Sequence, residues 1–104
     1  MQIKHLISFV AVGHTQSINQ AAEILNVAQP ALSRQIHQLE DDLGVSLFDR
    51  GPKGVSLTES GRNLMRDAEE FLTTYHKLRA RHTKAAGTIA GKVIVTMPDL
   101  IAKA

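Results

Sequence analysis

The 104-residue sequence contains no cysteine and no long uninterrupted apolar run. The missing cysteines exclude disulfide bonds, thiolate metal ligands and cysteine nucleophiles. The apolar N-terminal stretch MQIKHLISFVAVGH is too short to span a membrane and has no small-residue cleavage site. It therefore predicts neither a transmembrane helix nor a secretory signal, and we expect a cytoplasmic protein.

No pattern of side chains in the sequence suggests catalysis or metal binding. The GPKG stretch at 51–54 does not have the spacing of a phosphate-binding loop. His76 and His82 are six positions apart, about 240° around a helix, so they share no metal-binding face. No nucleophile and base are suggested either. We expect no enzyme, no metal and no cofactor in this chain.

The net charge of +2 is too small to indicate a nucleic-acid partner by itself. Residues 1–58 carry four Lys and Arg against five Asp and Glu, whereas residues 59–104 carry eight against five. If DNA is the partner, a few well-placed cations must provide the attraction.

The first 25 residues show the apolar periodicity of two amphipathic helices. In the first helix, apolar side chains recur at helical spacing from Ile3 to Ala11, and Gly13 and His14 are expected to end it. Ser17 stands three residues before a glutamine, which is the spacing of a capping box that opens a second helix.

Only residues 26–28 separate the second helix from a third one, and helices joined so tightly cross at a steep angle. Proline is tolerated in the first turn of this third helix, and Gly44 is expected to stop it. The stripe predicted to be buried consists of Leu32, Ile36, Leu39 and Leu43. Near the N-terminal end of this third helix, two neighbouring rows of side chains face away from the stripe. They contain Gln29, Pro30, Ser33, Arg34 and His37.

After the third helix, VSLFDR and VSLT are short β-prone runs on either side of the turn signal GPKG. They predict a two-stranded wing with Arg50 and Lys53 at or near its tip. Thr58 is expected to cap a long helix. Its apolar stripe covers about three heptads, too long for one small domain to bury, so a second copy is expected to cover it. The residues assigned to this dimer contact are Leu64, Ala68, Phe71, Leu72, Tyr75 and Leu78.

Residues 87–104 do not continue the helical pattern of the preceding sequence. Gly87 and Gly91 are expected to break the long helix, and KVIVT is predicted to be a buried strand with no sheet to join. We therefore divide the chain into a winged helix-turn-helix domain (1–58), a linker and dimerisation helix (59–86), and the hinge and first strand of a truncated further domain (87–104).

Six motifs in order resemble the DNA-binding region of LysR-type transcriptional regulators, from about Gln2 to Arg81. Each is weak alone, but together they are specific. They are L-x-x-F-x-x-V at 6–12, S-I-N-Q-A-A at 17–22, A-Q-P-A-L-S-R-Q-I at 28–36, L-E-x-x-L-G at 39–44, L-F-x-R at 47–50 and L-T-x-x-G at 57–61. The resemblance implies a mainly α winged helix-turn-helix, a dimerising linker helix, and an effector domain of two α/β lobes after a hinge. A small-molecule inducer would bind that absent domain.

The resemblance further implies that a homodimer reads double-stranded DNA at an interrupted inverted repeat. Gln, Ser and Arg at the front of a helix can read base edges in the major groove. We expect base contacts from Gln29, Pro30, Ser33 and Arg34. Contacts to the backbone or minor groove are expected from Ala28, His37, Arg50 and Lys53. The family often has Ser or Thr where this chain has Ala28, so helix capping and phosphate contact are expected to be weaker there.

Two alternatives stay open at this point. The chain could be a helical dimerisation or interaction module without DNA binding, with Gln29 and Ser33 simply solvated. Arg50 could be a structural partner of an acidic side chain such as Glu40 instead of a DNA ligand. The polar front of the third helix together with wing cations favours DNA binding, because a scaffold has no use for both.

Overall fold

The computed structural model of the chain describes residues 1–83. The elements in chain order are α1 (Ile3–Thr15), α2 (Ile18–Leu25), α3 (Gln29–Leu43), β1 (Phe48–Gly51), β2 (Gly54–Leu57) and α4 (Glu59–His82). This order confirms the predicted mainly α winged helix-turn-helix. The predicted strand KVIVT and its hinge lie outside the described residues, so the division of the chain into three parts stays a prediction. Within residues 1–83, no helix combines the length and apolarity needed to cross a membrane.

Helix α1 continues past Gly13 and His14, which had been predicted to end it. It ends at Thr15, since Gln16 adopts a left-handed conformation with φ 56°. A Cβ atom added to Gly13 would overlap the terminal methyl group of Met65 on α4. The glycine therefore permits a close contact between helices, and its interpretation as a helix end was wrong.

Helix α2 begins as its sequence predicts. The Ser17 hydroxyl accepts a hydrogen bond of 3.1 Å from the Gln20 backbone N–H, which caps the helix. Ala21 and Ala22 are buried, and their small side chains let α2 lie close to both α1 and α3. Asn26, with a left-handed φ of 58°, ends α2 and starts the three-residue turn before α3.

Helix α3 places its leucine stripe only partly as predicted. Leu32, Ile36 and Leu39 are fully buried, but Leu43 is 40% exposed. The helix ends directly after Leu43, where Gly44 takes a left-handed φ of 71°. The last turn of α3 therefore extends beyond the core, and the prediction that Leu43 is buried was wrong.

A single hydrophobic core joins the helices to the wing. The rings of Phe9 on α1 and Phe48 on β1 lie with their centroids 5.3 Å apart, and both side chains are buried. Strands β1 and β2 pair antiparallel, with Phe48 opposite Leu57. The Val55 N–H donates a hydrogen bond of 3.4 Å to the Gln16 carbonyl, so the wing is held against the end of α1.

Helix α4 starts against the wing. The Thr58 hydroxyl accepts a hydrogen bond of 3.0 Å from the Gly61 N–H, which confirms the predicted cap. A Cβ atom at Gly61 would overlap the Leu47 carbonyl oxygen, so only glycine lets α4 approach this closely. The predicted linker extended to residue 86. The described helix ends at His82, and residues 84–86 lie outside the described part.

Candidate nucleic-acid interface

The front of α3 presents the polar side chains predicted to read DNA. Gln29, Pro30, Arg34 and His37 are exposed, and Ser33 is partly buried. All five lie away from the stripe that Leu32, Ile36 and Leu39 bury in the core. The structure therefore brings these predicted site residues together on one solvent-facing surface, which we call the recognition face.

Ala28 is the N-cap of α3, and its methyl group makes no capping hydrogen bond. The first N–H groups of a helix have no partner within the helix, and the helix dipole makes this end attractive to anions. At this end of α3 the backbone, not a hydroxyl side chain, is available to a phosphate.

The wing carries Arg50 on β1 and Lys53 in the turn between the strands, and both are exposed. Neither forms an ion pair with any residue from 1 to 83. The alternative that Arg50 pairs with Glu40 is wrong, since the Glu40 carboxylate is bound elsewhere. The two wing cations remain available to a ligand.

Glu40 ties the recognition helix to the wing, a role that the sequence analysis missed. Its Oε2 atom accepts hydrogen bonds from the N–H groups of Leu47, at 2.7 Å, and Phe48, at 3.3 Å. Its Oε1 atom lies 3.6 Å from Nδ1 of His37. The sequence did contain a sign of this role. Glu40 lies one turn after Ile36, beside the buried stripe of α3, and a carboxylate that is partly buried there needs hydrogen-bond partners.

Helix α4 has two adjacent apolar faces. Met65, Ala68 and Leu72 are buried in the core of the chain, in the part of α4 that packs on α1. At about 100° per residue, a second face is centred about 80° away around the helix. It consists of Leu64, Phe71, Tyr75 and Leu78.

The second face of α4 is largely uncovered in the single chain. Phe71 and Leu78 are 47% and 50% exposed, and the rings of Phe71 and Tyr75 stack with centroids 6.4 Å apart. Leu72 is fully buried and Ala68 is 2% exposed, so their assignment to the dimer contact was wrong. Phe71 and Leu78 are the most exposed residues of the second face, whereas Tyr75 is partly buried and Leu64 packs partly against the core of the chain.

Within residues 1–83, no three His, Cys, Asp or Glu side chains come together as a group that could hold a metal ion. The features that the described residues do combine are a polar recognition face, a cationic wing and a long helix with a second apolar face. They define the chain as a winged helix-turn-helix module. More particularly, the chain belongs to the family described as bacterial regulatory helix-turn-helix proteins of the lysR family, which matches residues 3–62.

Relatives and solved structures agree with this membership. The regulator BsdA of Bacillus subtilis is 40% identical over 95 residues, covering 86% of this chain and 33% of BsdA. BenM of Acinetobacter baylyi is 41% identical over 78 residues, covering 75% of this chain and 26% of BenM. Both are named as transcriptional regulators, and this chain spans a third of their length or less.

A crystal structure of the BenM DNA-binding domain with catB site 1 DNA has a TM-score of 0.77 to this chain. It is 38% identical in sequence, and the match covers 83% of this chain and 97% of that one. The resemblance drawn from the six sequence motifs is therefore confirmed, both in family and in fold.

Proposed function

We propose that this chain binds double-stranded DNA sequence-specifically, as the DNA-binding module of a LysR-type transcriptional regulator. The observation that carries the proposal is the recognition face of α3, where Gln29, Pro30 and Arg34 are exposed together beside the N-terminus of the helix. The solved BenM complex, which contains DNA, supports the same use of this fold.

Each side chain of the recognition face has a chemical role in this proposal. Gln29 can pair with adenine through two hydrogen bonds, and Arg34 can pair with O6 and N7 of guanine. The Ser33 hydroxyl can donate to or accept from a base edge, and the Pro30 ring offers an apolar contact to a thymine methyl group. Together these contacts supply the sequence preference.

The wing and the start of α3 supply contacts that do not depend on sequence. Arg50 and Lys53 reach phosphates or the flanking minor groove, and His37 and the backbone near Ala28 contact phosphates. Because the net charge is only +2, these few cations must provide most of the electrostatic attraction.

A homodimer is part of the proposal, because the second face of α4 is an apolar surface on a long helix. Two copies paired through Leu64, Phe71, Tyr75 and Leu78 would present two recognition helices related by a two-fold axis. A two-fold protein reads a target of matching symmetry, so the DNA site is an interrupted inverted repeat.

A small-molecule inducer would be recognised by an effector domain outside the residues described, and DNA reading needs no cofactor. No enzymatic step is part of this function. We expect this function to be carried out in the cytoplasm, where bacterial DNA lies.

Arg34→Ala tests the base-reading role. We expect it to weaken binding to a selected site by about 1–3 kcal/mol per half-site and to relax the preference at one base pair. Arg66→Ala is the matched control, since it removes the same side chain from an exposed position on α4. Fluorescence anisotropy titrations on selected and scrambled duplexes give both values. Equal affinity and equal preference for wild type and Arg34→Ala would contradict the assignment.

A further inference from the structure

His14, near the end of α1, contacts Glu69, in the middle of α4. The distance from His14 Nε2 to Glu69 Oε2 is 2.6 Å, across 55 positions of sequence. A carboxylate can only accept a hydrogen bond, so the ring nitrogen donates it. The side chains are 28% and 29% exposed, so the contact lies at the edge of the interface between the two helices.

This contact is one of several along the side of α4 that packs on α1, where Met65, Ala68 and Leu72 are also buried. At Gly61, the missing side chain lets α4 lie against the Leu47 carbonyl oxygen. At Met65, the side chain packs where Gly13 leaves room. These contacts, like those of the buried Ala68 and Leu72 side chains, are steric. The His14–Glu69 hydrogen bond is polar and directional, and it lies between Ala68 and Leu72 along the helix.

The last part of α4 would carry the contact with the second copy, so its direction would set how the two copies lie relative to each other. Beyond Leu72, which is buried in the chain, the helix rises about 15 Å to His82, so a tilt of about 10° displaces its end by about 3 Å. That displacement is close to the 3.4 Å step of one base pair. Phe71, Tyr75 and Leu78, which would meet the partner, all lie beyond Glu69.

We propose that His14 and Glu69 form a positioning contact that fixes the direction of α4 and thereby the spacing of the DNA half-sites that the dimer accepts. This inference rests on the proposed function and adds a specificity that no base contact supplies. The recognition face chooses the half-site sequence, and the His14–Glu69 contact limits the number of base pairs between half-sites.

The test uses the 104-residue chain and a pool in which the selected half-site is repeated in inverted orientation with spacers of varied length. Wild type is expected to prefer one spacing strongly. His14→Ala and Glu69→Ala are each expected to lower the preference over neighbouring spacings about threefold, the size expected for losing one hydrogen bond. The double variant should lose no more than either single variant. Affinity for a single half-site should stay unchanged.

Two further variants make the result specific to this contact. Glu70→Ala removes a neighbouring exposed carboxylate and should leave the spacing preference intact. Glu69→Gln keeps an oxygen that can accept from Nε2, so it should preserve most of the preference. Because both partners are partly exposed, their truncation leaves no buried cavity, and circular dichroism would verify the helical content of every variant.

The possible negative results separate the positioning role of His14 and Glu69 from the proposed function. Unchanged spacing preference in both alanine variants would overturn the positioning role while leaving the proposed function standing. A parallel loss of single half-site affinity would also overturn it, because the contact would then support the winged domain as a whole. If wild type enriches no sequence at all, the proposed function fails and this inference fails with it. A half-site bound without any preferred spacing would overturn this inference alone.

Discussion

At the scale of single residues, Glu40 links the recognition helix to the wing. It belongs to the helix that carries the recognition face, yet its carboxylate binds the backbone at the entry to the wing. A hydrogen bond to a charged acceptor is typically stronger than one between neutral groups. Glu40 therefore sets where the wing cations lie relative to the recognition face.

Glu40→Ala should lower the free energy of unfolding by about 2 kcal/mol, because the N–H groups of Leu47 and Phe48 lose their acceptor. Asp41→Ala is the control, since this neighbouring carboxylate is exposed at the unfavourable end of the helix dipole. Urea denaturation followed by circular dichroism measures both. If Glu40→Ala is as stable as Asp41→Ala, the carboxylate does not anchor the wing.

Asp42, near the end of α3, pairs with the N-terminal ammonium group at 2.8 Å. This hydrogen bond and charge hold the pKa of the Asp42 carboxyl below its ordinary value. A lowered folded-state pKa means that the contribution to stability is present above the ordinary pKa and is lost as pH falls through the folded value. Side-chain carboxyl NMR should show Asp42 titrating low, and acetylation of the amino terminus should move its pKa up. No movement on acetylation would contradict the pairing.

The recognition face could be predicted from the sequence because it depends only on helix geometry. Gln29 and Arg34 fall outside the leucine stripe on any helical wheel, and the structure places them in solvent. The role of Glu40 could not be predicted in the same way. Its partners, Leu47 and Phe48, are seven and eight residues along the chain, and they reach it only through the turn after Gly44.

At the scale of elements, α4 has two adjacent apolar faces, one packed within the chain and one proposed to meet a second copy. Leu72 on the first face is fully buried in the chain itself, whereas Phe71 and Leu78 on the second are about half exposed. Neighbouring residues of one helix should therefore respond differently to substitution. One set maintains the folded chain and the other maintains the proposed dimer.

The combined variant Phe71→Ala and Leu78→Ala should shift the chain from dimer to monomer at micromolar concentration, with little loss of helical signal. Leu72→Ala should instead destabilise the fold by about 2–5 kcal/mol through the cavity that it leaves. Size-exclusion chromatography with light scattering separates the two effects. A dimer that survives the loss of Phe71 and Leu78 would show that the second face of α4 is not the interface.

Periodicity alone could not divide the apolar residues of α4 between these faces. The heptad-like spacing merged Ala68 and Leu72 with the residues of the second face. The division depends on where α4 packs against α1, and in that contact the Met65 side chain lies against Gly13. These two residues are 52 positions apart in the sequence, so the periodicity of α4 alone carries no sign of their contact.

At the scale of the whole molecule, the recognition face and the two wing cations lie on separate elements that one core joins. The recognition face belongs to α3, and the two wing cations belong to the hairpin that Glu40 and Gln16 hold in place. The overall fold was predictable because each element had a local signal. The hinge and the strand predicted after α4 lie outside the described residues and stay predictions.

Removing Arg50 and Lys53 together should weaken binding to all DNA sequences about equally. It should also reduce the slope of log affinity against log salt by about one for each lost phosphate contact. Asp49→Ala, next to Arg50 on the wing, is a control that changes charge without removing a cation. Titrations at several salt concentrations give the slopes. An unchanged slope in the double variant would remove the wing from the interface.

The most direct test of the proposed function is selection from a random pool of duplex DNA with this 104-residue chain at near-physiological salt. We predict enrichment of an interrupted inverted repeat, whose half-site spacing would report the geometry of the dimer. Binding without enrichment of any sequence would leave only phosphate attraction. It would contradict sequence-specific reading by α3 and favour a dimerisation module instead.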